Sequence, residues 1–358
     1  MRYILFLISV TSFLALKAQL KETSLGVSFN KGFIFAHSKD VQNTDGSYPW
    51  GFQIEWNKQL LDERTWNTCN CYPRTGFILQ YVNYDNAVLG QSLHASTYIE
   101  PYWGYGKKVS ASLKGITGLA YLTNPYQIDK NPTNQSYSLP ISGYVALGLG
   151  IHVKLNTQLN VNVYGQYNHI SNGGIKDPNK GVNWPTLSVG VDYVFKPVSP
   201  PQRAVKPFMK NEAKRKLEII PYWSSRTVVA GEKSRWNIFG FATQYTKQIA
   251  RINALSIGSE LWFDHSLQER LRRDTTNDKS SWRSGMLLGH TFLMGKISFS
   301  QQIGIYTYNP TGYFPLLYQR YGMLYQFNKT WSGGLNVLVH GHVANFLDFR
   351  LAYMLPVF

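Results

Sequence analysis

The stretch that decides the fold runs from Leu159 to Ser171 and reads LNVNVYGQYNHIS. Up to Asn168, polar residues and one tyrosine occupy the even positions, while mainly apolar residues occupy the odd positions, which is the period of a β-strand. His169 and Ser171 continue the odd, apolar series. Side chains two residues apart share a strand face, with backbones roughly 6 to 7 Å apart. The sequence therefore predicts a strand that carries a potential base and a potential nucleophile at the end of an apolar face.

The composition of the chain favours a membrane barrel. Of 358 residues, 24 are tyrosine and 30 are glycine, and 15% are aromatic. Strands that alternate polar and apolar residues, with many aromatic side chains, are typical of outer-membrane barrels, which turn their apolar residues toward lipid. The terminal Phe358 agrees with this reading, since the last strand of such barrels generally ends in an aromatic residue. The alternative is a secreted soluble β-protein, whose strands also alternate.

The first residues have the pattern of a secretory signal. Met1 and Arg2 precede an apolar stretch that ends at Leu16, and a small residue, Ala18, follows shortly after. This order of a basic start, an apolar run and a small residue predicts a signal peptide over residues 1–18. A membrane anchor is the weaker alternative, because a spanning helix needs about 20 apolar residues.

Sixteen strands are predicted, eight on each side of a proline-rich segment. Between the two sets, Lys196 to Lys216 contains four prolines and seven basic residues, a composition that breaks strands. We predict an all-β chain of two transmembrane antiparallel barrels in tandem, with domains 19–196 and 217–358 and a linker at 197–216. One barrel of about 16 strands is the alternative. The predicted strands are about 24–36, 48–58, 74–83, 93–103, 107–122, 142–155, 158–170, 185–196, 217–226, 235–247, 253–264, 282–292, 295–308, 316–327, 331–343 and 346–355.

The net charge of the chain bears on which classes of molecule it binds. The net charge is +16, but no basic helix, nucleic-acid motif or zinc spacing accompanies it, so we expect no nucleic-acid partner. For an exported chain, the phosphates of lipopolysaccharide are the polyanion within reach.

Cys69 and Cys71 are expected to have a structural or incidental role, either bonded to each other or free.

The chemistry that these residue types allow is ester hydrolysis. If both ends of the first barrel lie in the periplasm, its seventh strand runs outward and ends at His169 and Ser171. A histidine base beside a serine suits an acyl-enzyme route. The side-chain amide of Asn172 and the backbone N–H of Gly174 are candidates to stabilise the oxyanion.

The stretch His169-Ile-Ser171-Asn172-Gly-Gly174, followed by Pro178, Asn179 and Gly181, resembles the signature of the lipid A 3-O-deacylase (acyloxyacyl hydrolase) family. Similar features precede it at Tyr72-Pro73, Gly118-Leu-Ala-Tyr121 and Asn131-Pro132. The resemblance covers residues 20 to 196. It implies an eight-stranded outer-membrane barrel that hydrolyses an ester-linked acyl chain of lipid A with a Ser, a His and an acidic residue. It implies no metal or organic cofactor, it gives Asn179 a supporting role in the loop, and it leaves the oligomeric state open.

One residue departs from the family pattern. The family's acidic residue falls on Asn183, which can orient a histidine but adds no charge. Asp177 is an alternative source of a carboxylate. A non-enzymatic barrel, a scaffold or pore that keeps the motif, is therefore the competing hypothesis.

A weak internal repeat links the two halves. Leu335-Asn-Val337 precedes His342 and Ala344 much as Leu159-Asn-Val161 precedes His169 and Ser171. On this comparison the second half has an alanine at the nucleophile position, so we expect it to be inactive.

Overall fold

The computed structural model describes residues 20–209, 213–274, 279–341 and 343–355. The predicted signal peptide, His342 and Phe358 lie outside the described residues. Within them, no helix is both long and apolar enough to cross a membrane.

The first eight predicted strands form one closed barrel. Its ring has the order β4-β3-β2-β1-β9-β8-β7-β6, and β4 pairs with β6 to complete it. Strand β5 has two residues and lies beside β6. The strands are β1 (Lys21–Gly32), β2 (Trp50–Leu60), β3 (Arg74–Asn83), β4 (Gln91–Glu100), β5 (Tyr102–Trp103), β6 (Val109–Leu122), β7 (Ile141–Lys154), β8 (Leu159–Ser171) and β9 (Val182–Val194).

The second set of strands closes on itself as well. Strand β10 pairs with both β11 and β17, so the second ring is complete without the first. The prediction of two eight-stranded barrels in tandem is confirmed, and the single barrel of about 16 strands is wrong. The strands are β10 (Arg215–Arg226), β11 (Trp236–Gln248), β12 (Asn253–Asp264), β13 (Trp282–Met294), β14 (Ile297–Tyr308), β15 (Leu317–Gln326), β16 (Trp331–His340) and β17 (Val343–Leu355).

The apolar strand faces point outward. On β8, Val163 is 39% exposed, whereas its neighbour Tyr164 is 4% exposed inside the barrel. Leu149 on β7, at 66%, and Leu187 on β9, at 62%, continue this outer surface. A soluble sheet buries its apolar face, so the alternative of a soluble β-protein is wrong, and the outer surface is that of a barrel in lipid.

Charged networks fill the barrel interiors. In the first barrel Arg74 bonds Glu100 at 2.9 Å and Asp192 at 2.8 Å. In the second barrel Arg320 bonds Glu260 at 2.8 Å and Asp348 at 2.5 Å. Eight-stranded barrels are just wide enough for side chains to fill them. One cavity inside the second barrel has a volume of about 20 Å³, about enough for a single water.

Short helices and the linker lie outside the strands. A 3₁₀ helix (Lys39–Thr44) follows β1, α1 (Glu63–Cys69) follows β2, and α2 (His265–Arg273) follows β12. Cys69 and Cys71 form a disulfide at the end of α1. The linker packs on this region, where Trp66 donates to the carbonyl of Ala204 at 3.0 Å.

The repeat between the halves is not structural. Leu159 to Val161 and Ser171 lie on one strand, β8, whereas Leu335 to Val337 lie on β16 and Ala344 lies on β17. A turn separates the two parts of the second motif, so the predicted correspondence is wrong.

Candidate active site

The site lies where β8 and β9 end. His169 and Asn183 are directly opposite each other in the antiparallel pairing of these strands. His169 and Ser171 share the outer face of β8, as the alternation predicts, and both are partly buried. His169 and Ser171 therefore face the lipid side of the first barrel rather than its lumen.

Asn183 fixes the orientation of His169. Its Oδ1 lies 2.7 Å from His169 Nδ1. An amide oxygen only accepts hydrogen bonds, so His169 Nδ1 carries the proton. The other ring nitrogen, Nε2, is then unprotonated and can act as a base.

The second hydrogen-bonding group of Asn183 reaches a residue that the sequence analysis missed. Asn183 Nδ2 lies 2.9 Å from Nδ1 of His37, which lies on the segment after β1. This segment continues the pairing with β9, because Phe35 N donates to the carbonyl of Asn183 at 2.8 Å. Phe33 and Phe35 are exposed on the outer surface. The same period of two would have placed His37 on this face.

The hydroxyl of Ser171 is held by its own loop. Asn179 Nδ2 donates to Ser171 Oγ at 2.9 Å, and Gly173 N donates to it at 3.0 Å. Among the described hydrogen bonds, none joins Ser171 to His169. Catalytic hydrogen bonds are often absent or long before substrate binds.

Asn172 has contacts other than those expected. Its Nδ2 donates to the carbonyl of Lys176 at 2.7 Å and to Ser138 Oγ at 3.3 Å, while its Oδ1 accepts from Ile175 N at 3.1 Å. Both amide protons are therefore used within the protein. In this conformation the side chain stabilises the loop and is not available to an oxyanion, so we correct that expectation.

Gly174 and Asn179 both belong to the loop that follows Ser171. In the described part of the chain, the N–H of Gly174 donates to no other group. Asn179 Oδ1 accepts from Asn172 N at 2.9 Å, which directs the Asn179 amide nitrogen toward Ser171. Both residues therefore carry N–H groups in the loop that follows Ser171, and that of Asn179 contacts the Ser171 hydroxyl.

Glycine is required where the loop returns to β9. Gly181 has φ +79°, and a Cβ at this position would lie 2.8 Å from His169 Cε1. The positive φ and this close approach both exclude larger residues without a shift of the imidazole.

An ion pair links the loop between β8 and β9 (residues 172–181) to the 3₁₀ helix. Lys180 Nζ lies 2.8 Å from Asp40 Oδ2. The hydrogen bond from Lys180, followed by its charge, lowers the pKa of Asp40 below its usual value of 3.8. Both side chains are substantially exposed, so this pair contributes little to stability.

Asp177 does not serve as the missing carboxylate in this conformation. It lies 3.6 Å from Arg226 of the second barrel, and its backbone N donates to Thr227 Oγ1 at 3.2 Å. The position opposite His169 is occupied by Asn183.

An apolar groove begins below the site on the outer surface. Its volume is about 630 Å³. Gly165 forms part of its floor, and a Cβ added there would have nothing within 4 Å. Other lining residues are Phe33, Leu147, Leu149, Tyr167 and Leu187. Gly165 and Tyr167 precede His169 and Ser171 on the same face of β8, so along the strand the Tyr167 end of the groove comes next to His169.

Comparisons with known proteins identify both halves. The model for lipid A 3-O-deacylase (PagL) matches residues 50–192, and the model for the acyloxyacyl hydrolase C-terminal domain matches residues 216–356. The resemblance of the first half is confirmed, and a related model also covers the second half, where the sequence analysis found none.

Solved structures also resemble the chain. The crystal structure of the outer membrane enzyme PagL is 18% identical with a TM-score of 0.34, covering 46% of this chain and 97% of that chain. A mutant porin of Rh. blastica is 10% identical with a TM-score of 0.22, covering 94% of this chain and 100% of that chain. No curated protein sequence matches. The family models and the transmembrane barrel fold define an outer-membrane protein. The chain belongs to the lipid A 3-O-deacylase (PagL) family, with that domain in its first barrel and the family's C-terminal domain in its second.

Proposed function

We propose that this protein hydrolyses an ester-linked acyl chain of lipid A in the outer leaflet, with Ser171 as the nucleophile and His169 as the base. The observation that carries the proposal is the pair His169 and Ser171 on the lipid-facing side of β8, with His169 held by Asn183 at 2.7 Å. Family membership supports the reaction class.

The reaction proceeds through an acyl-enzyme. The Ser171 hydroxyl first rotates from Asn179 toward His169 Nε2. Ser171 Oγ then attacks the ester carbonyl carbon while His169 Nε2 accepts the hydroxyl proton. The tetrahedral intermediate breaks its bond to the alkoxy oxygen, and His169 gives the proton to that oxygen. Water attacks the acylated serine in the second step, again with His169 as base, and a free fatty acid leaves.

The oxyanion needs donors close to the reacting carbon. The N–H of Gly174 and the amide nitrogen of Asn179 are the candidates, because both belong to the loop that holds Ser171. Asn179 Nδ2 has a second proton beyond the one that it donates to Ser171. Removal of one such donor typically lowers kcat by about 10²- to 10³-fold.

Asn183 takes over one of the two roles of the family's acidic residue, which are to orient the histidine and to supply negative charge. It keeps Nε2 of His169 unprotonated, which is the orienting role of the acid. Because its amide is neutral, Asn183 does not stabilise by charge the imidazolium that forms during attack. We therefore expect slower turnover than with a carboxylate.

The groove supports a substrate with a long acyl chain. It is lined mainly by apolar side chains on the outside of the barrel, and on β8 it includes Tyr167, which precedes His169 by two residues on the same strand face. A lipid can place its acyl chain there without leaving the membrane, while its ester linkage lies at the outer end of the strand. This position suits an ester near the lipid A headgroup.

Mass spectrometry of lipid A tests the proposal. Lipid A is isolated from cells that express the wild type, Ser171→Ala, or Ser188→Ala, whose serine lies inside the same barrel. We expect loss of one ester-linked acyl chain with the wild type and Ser188→Ala, and full retention with Ser171→Ala. Deacylation by folded Ser171→Ala would refute the assignment of the nucleophile.

A further inference from the structure

We propose that His37 is a positioning residue that lets Asn183 act in place of a carboxylate. The inference rests on the proposed function of His169 and Ser171. Its basis is the chain of hydrogen bonds from His169 through Asn183 to His37, with distances of 2.7 and 2.9 Å.

An amide beside a catalytic histidine has two possible orientations. With its oxygen toward the ring it accepts from Nδ1–H, and Nε2 remains a base. With its nitrogen toward the ring it donates to Nδ1, so the proton moves to Nε2 and the base is blocked. In serine proteases this second tautomer lowers kcat by about 10⁴-fold.

His37 selects the productive orientation. Its Nδ1 accepts from Asn183 Nδ2, so the amide nitrogen is occupied and the oxygen faces His169. His37 is brought to this point by the pairing of the segment after β1 with β9. The ion pair between Asp40 and Lys180 joins the same segment to the catalytic loop. Without an acceptor at position 37, the amide can rotate and the two tautomers of His169 become comparable.

The test combines two substitutions in the full-length chain. His37→Ala is expected to lower kcat for lipid A about twofold, because about half of the molecules then hold His169 in the blocked tautomer, with little change in KM. Asn183→Asp offers only acceptors to His169 in either orientation, so His37→Ala is expected to have little effect on kcat in that background. Phe35→Ala is the matched control, because it removes an exposed side chain two residues away on the same segment.

A second readout does not depend on activity. Nitrogen-15 NMR of the imidazole rings, assigned with His169→Gln, reports the tautomer of His169 in the Ser171→Ala protein. We expect the Nδ1–H form in this protein and a mixture after His37→Ala. An unchanged tautomer, or equal losses of kcat in the Asn183 and Asn183→Asp backgrounds, would overturn the role of His37. If Ser171→Ala still deacylates lipid A, the proposed function fails instead.

We also infer that the second barrel holds the loop between β8 and β9 (residues 172–181) in place. Asp177 meets Arg226 and Thr227 at the outer end of β10, and Arg235 Nη1 donates to the carbonyl of Ile175 at 3.2 Å. These contacts involve the segment that follows Ser171, and they are independent of His37.

The second barrel also contacts this loop through residues of β17. The pairing of β16 and β17 has an irregularity that leaves Asn345 without a partner residue in the ladder. The carbonyl oxygen of Asn345 accepts a hydrogen bond from Arg226 at 2.8 Å. The same oxygen lies 2.5 Å from the position that a Cβ on Gly174 would take. A Cβ on Gly173 would lie 2.8 Å from Leu347 Cβ. The second barrel thus lies directly against the two glycines next to the nucleophile, one of which carries the proposed oxyanion donor.

Hydrogen exchange and kinetics test this role. The double variant Leu347→Ala and Thr227→Val removes a packing contact and a hydrogen bond from the loop. We expect amide exchange in residues 172–177 to rise about tenfold and kcat to fall with little change in KM. Leu351→Ala, on the lipid-facing side of the same strand, is the matched control. Exchange and kcat that match the control would refute the inference, and the exchange measurement in Ser171→Ala remains informative if the protein is not a deacylase.

Discussion

Gly181→Ala tests whether the position of His169 limits turnover. The new Cβ would lie 2.8 Å from His169 Cε1 and 2.9 Å from the carbonyl oxygen of Ile170, whereas ordinary contacts begin at 3.4 Å. The imidazole or the loop must therefore move by about half an ångström. A displacement of 1 Å can lower a rate about 100-fold, so we expect a loss of about tenfold in kcat.

The same substitution also strains the backbone, and this effect needs a separate control. A side chain at positive φ costs about 1–2 kcal/mol. Gly312 has φ +72°, and a Cβ added there would have nothing within 4 Å, so Gly312→Ala adds the strain without a contact.

The assay is lipid A deacylation by purified protein in detergent, with heat-modifiable gel migration to confirm that the barrels are folded. We expect Gly312→Ala to retain the wild-type kcat. A folded Gly181→Ala protein with unchanged kcat would refute the view that the close packing of Gly181 fixes the base.

Three further predictions concern the groove, the interior and the loop. Gly165→Trp should fill the groove and lower kcat/KM most for substrates with long acyl chains, whereas Val163→Trp, farther from the site, should not; equal chain-length profiles would contradict the groove assignment. Arg320→Met removes the arginine that pairs with the buried carboxylates of Glu260 and Asp348. We expect it to lower the free energy of unfolding in urea by about 3–5 kcal/mol, and a change below about 1 kcal/mol would contradict this expectation. Because the folded-state pKa of Asp40 is lowered, its pairing with Lys180 stabilises above pH 3.8 and is lost in acid. Since the pair is exposed and contributes little, Asp40→Asn should raise the hydrogen exchange of residues 37–45 only about twofold, and at neutral pH only.

The alternation of residues was sufficient to predict the strands and their lipid-facing sides. On β8 each side chain has one of two directions, so the position of Tyr164 inside and Val163 outside follows from the period of two. The two closed rings followed from the strand count and the proline-rich linker, since an eight-stranded barrel closes without unpaired edges.

The finer contacts of the site did not follow from the sequence. His37 and Asn183 are 146 residues apart and meet only because β1 closes the ring against β9. The direction of the Asn172 amide depends on the turn of its loop, and the order of residues does not specify that turn. The contact between Gly174 and Asn345 depends on how two separately closed barrels pack together, for which no periodic pattern exists.

The most direct test of the central claim is covalent labelling of the nucleophile. An alkyl fluorophosphonate reacts with an activated serine, and peptide mass spectrometry locates the adduct. We predict one adduct on the peptide that contains Ser171, and its loss in His169→Gln although the serine is present. An adduct on a different serine, or labelling of Ser171 that does not depend on His169, would contradict the proposed pairing of base and nucleophile.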